Sequence, residues 1–188
     1  MKSFFLFAPG AGAPSTHPWM QRWRKRLGEI GEVETFDYDY MREGRKRPDR
    51  LPQLLATHRA AFAKVRAKTS GSIILIGKSM GGRIGCHVAL GEKVNGVVCL
   101  SYPLCGGGDR SKLRDQVLRD LRTPILFVQG TRDPFGSIEE METALKLIPA
   151  KAELLPVEGA GHDLGFKGKA KREDLPAAIS AAFQNFFG

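Results

Sequence analysis

The chain has 188 residues, of which 42% are hydrophobic and 26% are charged. This composition is typical of a globular domain, so a disordered chain is not expected. The formal net charge is +9, and Lys and Arg cluster at 22–26, 42–50 and 167–172. Neither a nucleic-acid motif nor interleaved aromatic residues accompany these clusters, so we expect no nucleic acid as partner. The clusters are interpreted as solvated surface, with steering of an anionic substrate as the alternative.

The first apolar run, residues 2–8, predicts a buried strand. It is much shorter than a membrane span and lacks the features of a signal peptide, so we expect no membrane association. A glycine-rich loop follows at 9–14. Pro18 suits the first turn of a helix, and apolar residues recur after it at spacings of three and four as far as residue 30. This spacing predicts an amphipathic helix.

The rest of the chain alternates between strand and helix patterns. Strands are predicted at about 33–38, 72–76, 94–100, 124–128 and 152–155. Helices are predicted at about 51–65, 80–91, 111–120, 137–147 and 174–187. The alternation predicts an α/β fold, a three-layer α/β/α sandwich with a mostly parallel sheet of about six strands, in a single domain over residues 1–188. Ligands bind at the carboxyl ends of the strands in such sheets.

The segment GKSMG, residues 77–81, lies directly between a predicted strand and a predicted helix. It matches G-x-S-x-G, the pattern of a nucleophile elbow, in which the serine occupies a strained turn and small neighbours let strand and helix approach each other. The helix dipole also favours a negative charge developing on a serine in this position. We therefore predict Ser79 as the nucleophile; the alternative is a glycine-rich turn with a capping serine.

A serine hydroxyl needs a base to take its proton, and the base needs a partner that fixes its tautomer. After a nucleophile elbow, the acid and then the histidine are expected behind later strands. Asp133 follows the 124–128 strand, and His162 lies in a glycine-flanked loop after the 152–155 strand. We predict these two as catalytic residues, although Asp133 could instead be a turn or capping residue. Asp163 is a poorer partner because adjacent side chains rarely face each other.

The remaining histidines have different interpretations. His58 and His87 fall within predicted helices and are interpreted as structural, whereas His17 lies in the first loop and is a candidate substrate contact. Lys78 and Tyr102 are further candidate substrate contacts. No pair of histidines and carboxylates has a clear metal-ligand spacing, so no metal site is predicted.

An oxyanion hole is expected to use two backbone N–H groups. One should belong to Met80, the residue after the nucleophile, and the other to the loop after the first strand. Pro9 has no N–H, so Gly10 and Ala11 are the candidates in that loop, with Ala11 preferred.

The three cysteines are odd in number and form no C-x-x-C pair. A disulfide framework is therefore not expected, and the cysteine usage favours a cytoplasmic location. Cys86 and Cys99 lie in apolar segments and are predicted to be core residues, whereas Cys105 lies in a loop.

Five ordered motifs spanning nearly the whole chain resemble those of the α/β-hydrolase superfamily. They are APGAG, GKSMGGR, SYPL, GTRDPF and GAGHDL. The chain looks similar to the small dienelactone-hydrolase-like branch that includes the testis-expressed hydrolase-like proteins and a subunit of a histone-acetyltransferase complex. The resemblance implies a triad of Ser79, Asp133 and His162, no cofactor, and a reduced sheet without the two antiparallel N-terminal strands of larger members. It also implies that Lys78, where many esterases have histidine, is shared by this branch.

The predicted function is a serine hydrolase that cleaves an ester or thioester of a small-molecule acyl substrate. Two alternatives stay open: an interaction protein that retains the fold, since some relatives look like interaction proteins, and a peptidase or amidase using the same residues. No insertion is long enough for a cap domain, and the only covers are the loops at 40–50, 105–109 and 165–171. We therefore expect a shallow, open site.

Overall fold

One six-stranded sheet organises the computed structural model, which describes residues 3–106, 109–165 and 175–187. Its strands run in the spatial order β2-β1-β3-β4-β5-β6, and every neighbouring pair is parallel. The strands are β1 (Ser3–Ala8), β2 (Gly31–Thr35), β3 (Ile73–Lys78), β4 (Gly96–Leu100), β5 (Ile125–Gly130) and β6 (Ala152–Val157). The predicted fold class is confirmed.

Helices cover both faces of the sheet. They are α1 (Pro18–Leu27), α2 (Asp39–Arg42), α3 (Leu51–Lys68), α4 (Met80–Ala89), α5 (Gln116–Arg119), α6 (Ile138–Leu145) and α7 (Leu175–Phe187). Within the described ranges, no additional group of elements forms a cap domain, and no helix is long and apolar enough to cross a membrane.

Alternating side chains of the strands supply the two apolar faces that these helices bury. Phe5 and Phe7 of β1 face one side and pack with α1 and α7, where the rings of Phe5 and Phe183 meet edge to face at 5.1 Å. Leu6 and Leu75 face the other side and pack beneath α3 and α4. Burial on both sides explains why β3, β4 and β5 are nearly continuous apolar runs in the sequence.

The strand order reverses between β1 and β3, because the chain adds β2 on one side of β1 and then crosses to its other side. The loops that follow β1 and β3 therefore diverge and open a crevice at the carboxyl edge of the sheet. Pro9 begins one of these loops and Ser79 follows the other strand. This topology places the glycine-rich loop beside the predicted nucleophile.

The second strand lies earlier in the chain than the predicted 33–38. Gly31 begins β2 because it packs so closely on β1 that an added Cβ would lie 2.4 Å from the Ser3 carbonyl oxygen. Phe36 and Tyr38 leave the strand and form an edge-to-face aromatic pair with centroids 5.1 Å apart. The 40–50 loop also differs from expectation, since its start belongs to the single-turn helix α2.

All three cysteines are buried. The Sγ atoms of Cys86 on α4 and Cys99 on β4 lie 3.7 Å apart in the core, which confirms their prediction as core residues. Cys105, which the sequence left in a loop, is also buried, and its thiol faces the Pro134 carbonyl oxygen at 3.8 Å.

A buried histidine of α3, His58, faces the loop after β2. His58 Nδ1 and the Tyr38 hydroxyl are 3.2 Å apart, and the Phe36 ring lies 4.9 Å from the imidazole. His58 Nε2 has no hydrogen-bond partner among the described residues. Burial lowers the pKa of His58 to about 3, so the imidazole is neutral in the folded protein at neutral pH.

We expect folding stability to fall in mild acid because His58 gains a proton only on unfolding. Its pKa rises from about 3 in the fold to about 6.5 in the unfolded chain, so its contribution is complete above pH 6.5 and declines as the pH falls towards 3. At about pH 5 the loss amounts to about 2 kcal/mol. Urea denaturation at neutral and mildly acidic pH measures it. The His58→Asn variant, although less stable at neutral pH, should lack this component; an unchanged pH slope would contradict the assignment.

Candidate active site

Ser79 lies at the sharp turn between β3 and α4. Its φ of +48° and ψ of −113° place it in a region that non-glycine residues rarely adopt. The turn is held by a hydrogen bond from the Ser79 N–H to the Leu100 carbonyl at 2.9 Å. Strain of this kind is characteristic of residues that surrounding structure holds in place for a function.

Two glycines make this turn sterically feasible. An added Cβ on Gly77 would lie 2.1 Å from the Gly82 nitrogen, and one on Gly81 would lie 2.5 Å from the Pro9 carbonyl oxygen. Both contacts involve backbone atoms, which cannot move aside as a flexible side chain can. The glycines of the G-x-S-x-G motif are therefore required by close packing of strand, helix and the first loop.

A continuous chain of hydrogen bonds joins the three predicted catalytic residues. His162 Nε2 lies 2.9 Å from the Ser79 Oγ, and His162 Nδ1 lies 2.9 Å from the Asp133 Oδ2. Both distances suit hydrogen bonds. The three residues come from loops after β3, β5 and β6, so the parallel sheet brings together side chains that are up to 83 positions apart.

The Asp133 carboxylate is completely buried, while 27% of the His162 side chain is exposed. The other oxygen of the Asp133 carboxylate, Oδ1, accepts a hydrogen bond from the Phe135 N–H at 2.9 Å. The Phe135 ring packs on the imidazole with centroids 4.6 Å apart. Asp133 is therefore oriented from both oxygens, and the imidazole is held between a carboxylate and a ring.

The loop that carries His162 is attached to two other elements. The Lys78 ammonium donates a hydrogen bond to the His162 carbonyl oxygen, and the Trp19 indole N–H donates to the Asp163 carbonyl oxygen at 3.1 Å. The Asp163 carboxylate accepts the Gly165 N–H at 3.2 Å. The His162 ring is therefore bonded to the carboxylate of Asp133, which is distant in sequence. The adjacent Asp163 instead stabilises the loop to which it belongs.

The predicted oxyanion donors lie beside the nucleophile. Met80 is the first residue of α4, where backbone N–H groups have no partner within the helix. The loop after β1 approaches from the other side, since a Cβ on Gly10 would lie 3.7 Å from that of Ser79. Ala11 lines the same cavity, and its carbonyl accepts the Tyr40 hydroxyl at 2.8 Å. Tyr40 therefore holds this loop through a hydrogen bond that the sequence pattern does not predict.

A cavity of about 1020 Å³ opens in front of Ser79 and His162. It lies at the upper end of the roughly 300–1,000 Å³ typical of small-molecule sites and is roomier than the shallow site expected from the sequence. An apolar wall comes from α1 and α3. The side chains of that wall are Trp19, Met20, Leu51 and Leu54. The loop at 40–50 contributes Pro48 and Asp49 to the rim. Of the cover predicted at 165–171, residues 166–171 lie outside the described residues.

The three candidate substrate contacts have different outcomes. His17 and Lys78 both line the cavity, although His17 Nδ1 also caps α1 by accepting the Trp19 N–H at 3.2 Å. The structure contradicts the prediction of Tyr102 as a substrate contact, because its side chain is completely buried and its hydroxyl donates to the Arg114 carbonyl at 2.6 Å. Tyr102 supports the loop after β4 and does not reach the cavity.

Several cavity residues received no role from the sequence. The sequence pattern places Trp19 only on an amphipathic face and Phe135 only within a motif. Arg83 and Arg114 also line the cavity. Of these, Arg83 carried a usable signal, because a residue four positions after the nucleophile in a helix lies on the same face one turn later.

No group of three or more His, Cys, Asp or Glu side chains suited to a metal ion occurs in the described part of the chain. The residues around Ser79 that carry charge are instead lysine, arginine and the two carboxylates Asp49 and Asp163.

Comparison with protein families gives a match over nearly the whole chain. The model of a family described as an alpha/beta hydrolase domain matches residues 1–186. The match includes the loops that carry Ser79, Asp133 and His162.

Solved structures of similar fold are numerous. An alpha-beta serine hydrolase homologue from Coxiella burnetii is 21% identical, with a TM-score of 0.79 over 97% of this chain and 85% of that one. A serine hydrolase without a lid from Xanthomonas campestris is 18% identical, with a TM-score of 0.77 over 99% and 83% of the two chains. A monoacylglycerol lipase from Paleococcus ferrophilus is 15% identical, with a TM-score of 0.75 over 97% and 94%. At these identities the likeness concerns the fold.

Proposed function

The chain belongs to the alpha/beta-hydrolase family, and from this membership we propose that it is a serine hydrolase that cleaves an ester or thioester through Ser79, His162 and Asp133. The general class, hydrolase, follows from the family and its structural neighbours. The observation that carries the finer proposal is the unbroken chain of two 2.9 Å contacts from the Asp133 carboxylate to the Ser79 hydroxyl.

In the proposed acylation, the Ser79 Oγ forms a bond to the substrate carbonyl carbon while its proton passes to His162 Nε2. Asp133 accepts the Nδ1–H, which holds the tautomer with a free Nε2 and stabilises the imidazolium that forms. The carbonyl electrons move onto oxygen. Collapse of the tetrahedral intermediate expels the alcohol or thiol, which takes the proton from His162, and leaves an acyl group on Ser79.

Deacylation repeats these steps with water. A water molecule gives its proton to His162 and attacks the acyl carbon, and the Ser79 oxygen leaves with that proton. The negative oxygen of each tetrahedral intermediate would accept N–H groups from Met80 and from Ala11 or Gly10. No cofactor enters this proposal, and the described side chains supply each proton transfer.

Labelling by a fluorophosphonate, which traps an activated serine as a phosphonyl ester, tests the proposal directly. We expect labelling of Ser79, located by peptide mass spectrometry, together with hydrolysis of short 4-nitrophenyl esters and acyl thioesters. A matched panel of 4-nitroanilides separates the peptidase or amidase alternative. A folded protein that neither reacts with the probe nor hydrolyses any of these substrates would instead favour the interaction-protein alternative.

We expect Tyr40→Phe to lower kcat for ester hydrolysis by about tenfold with little change in KM. The substitution removes only the hydroxyl that holds the Ala11 carbonyl at 2.8 Å, so the oxyanion loop loses a positioning contact worth about 1 kcal/mol or slightly more. Steady-state kinetics with a 4-nitrophenyl ester measures it. Tyr38→Phe is the matched control, because that hydroxyl pairs with His58 instead; equal effects on kcat would indicate general destabilisation.

A further inference from the structure

Arg83 lies in α4, one helical turn after Ser79, the residue that immediately precedes the helix. Its backbone N–H donates to the Ser79 carbonyl oxygen at 3.2 Å, and four residues of helix correspond to roughly 6 Å of rise. Its half-buried side chain lines the cavity together with Ser79 and His162. The guanidinium is therefore available to a molecule bound in front of the nucleophile.

Within the ranges that the structure describes, this guanidinium has no counter-ion. Among the described residues, Arg83 makes no hydrogen bond or ion pair through its side chain. The nearby Tyr38 hydroxyl is engaged with His58, and the Tyr102 hydroxyl donates to a carbonyl. Burial and the positive charge of Arg114 both lower the pKa of Arg83. A partly desolvated cation beside a second cation is unfavourable unless an anion completes the arrangement.

Arg114 supplies the second guanidinium on the same cavity wall. Its backbone N–H donates to the Leu104 carbonyl at 2.7 Å, and its Nη1 donates to the Pro103 carbonyl at 3.3 Å. These contacts hold the side chain over the loop after β4 while it lines the cavity. One N–H of the exposed guanidinium is therefore bound to this loop, and its other N–H groups can donate to a ligand.

The carboxylates of the cavity wall are already engaged. Asp49 pairs with Arg45 at 2.7 Å and accepts the Tyr40 N–H, and Asp163 accepts the Gly165 N–H. Neither is an ion-pair partner of Arg83 or Arg114 in the part of the chain that the structure describes. The wall near these two arginines consequently presents positive charge to a ligand.

We propose that Arg83 and Arg114 form an anion-binding subsite that selects esters carrying a carboxylate in addition to the scissile ester group. The inference rests on the proposed hydrolysis at Ser79 and names the class of its substrate. Guanidinium groups match carboxylates in geometry and form charge-assisted hydrogen bonds with them. The apolar wall of α1 and α3 receives the hydrocarbon part of the same molecule. Anion recognition thus lies inside the cavity, one helical turn from the nucleophile.

Matched ester pairs test this selectivity. Mono-4-nitrophenyl adipate and 4-nitrophenyl hexanoate have acyl chains of equal length and differ by a terminal carboxylate. 4-Acetoxybenzoate and phenyl acetate place the same difference on the leaving group. We expect the wild-type protein to prefer the anionic member of one pair by about tenfold or more in kcat/KM, and the pair that shows the preference identifies the side of the scissile bond. Equal kcat/KM within both pairs would overturn the subsite.

Charge-matched variants distinguish the subsite from a general effect of net charge. Arg83→Met should reduce the anionic-to-neutral ratio of kcat/KM by about tenfold, and Arg83→Lys should restore part of it. Because the ratio compares two esters on one enzyme, a purely structural defect does not change it. Arg122→Met removes an exposed arginine outside the cavity and should leave the ratio unchanged. If Arg83→Met does not fold, Arg114→Met, at an exposed position, provides the same test.

Binding without turnover separates this inference from the proposed hydrolysis. In Ser79→Ala protein, calorimetric titration with the preferred anionic ester and its neutral partner should show the same preference, and adding Arg83→Met should remove it. A binding preference in a protein with no hydrolase activity would retain the subsite and refute the hydrolysis. Hydrolysis of neutral and anionic esters at equal rates would retain the hydrolysis and refute the subsite.

Discussion

Replacing Ser79 by alanine should lower kcat for ester hydrolysis by about 10⁴-fold to 10⁶-fold and abolish fluorophosphonate labelling. The variant removes the atom that attacks the carbonyl carbon, and His162 then has no hydroxyl to activate at 2.9 Å. Residual turnover would come from the oxyanion donors and binding alone. Steady-state kinetics with a 4-nitrophenyl ester, supported by intact-protein mass spectrometry, measures both effects.

The fold should tolerate this change. The Ser79 side chain makes no capping hydrogen bond to α4, so alanine removes no helix cap, and it occupies the same strained φ of +48°. We therefore expect an unchanged or slightly raised melting temperature. Ser111→Ala, which removes an exposed hydroxyl that donates to Asp109, is the matched control and should retain activity. Activity of Ser79→Ala within tenfold of wild type would place the nucleophile elsewhere.

Replacing Asp133 by asparagine should lower kcat by about 10⁴-fold while leaving the backbone intact. The buried carboxylate accepts from His162 Nδ1 at 2.9 Å and from the Phe135 N–H at 2.9 Å. An amide that presents its NH₂ to Nδ1 favours the tautomer with the proton on Nε2, which cannot accept the proton of Ser79. The measurement is kcat and the rate of fluorophosphonate labelling, which should fall together.

Asp163→Asn is the matched control for this second prediction. Asp163 is adjacent to His162, but its carboxylate accepts from Gly165 and not from the imidazole. We expect a loss of less than about tenfold in kcat, consistent with a single loop hydrogen bond. If Asp163→Asn proved as damaging as Asp133→Asn, the orienting acid would have to be reassigned.

The order of the motifs along the chain made the parallel sheet and the three candidate catalytic residues predictable. Alternating apolar runs predicted a parallel sheet, since a strand buried on both faces reads as a short continuous apolar segment. The strand ends then placed Ser79, Asp133 and His162 at one edge, and the structure brings them within hydrogen-bonding distance. Their catalytic roles stay predictions until the variants above are measured.

Other features had no local signal. The start of β2 depends on how closely Gly31 packs against β1, and α2 is a single turn within a basic stretch. Tyr102 follows a strand end, as the catalytic candidates do, yet packing against Phe127 with centroids 5.5 Å apart turns it into the core. Position at a strand end therefore indicates a residue's neighbourhood and does not decide which way its side chain points.

By itself, the sequence determined the fold class and the identity of Ser79, Asp133 and His162 as the candidate residues, because strand periodicity and the glycine elbow are local properties of the chain. Tertiary structure alone decided the strained geometry of Ser79, the anchoring of Ala11 by Tyr40, the size of the cavity and the lack of a counter-ion for Arg83 among the described residues. Each of these depends on contacts between segments far apart in sequence, and such contacts are set only when the helices and strands pack together.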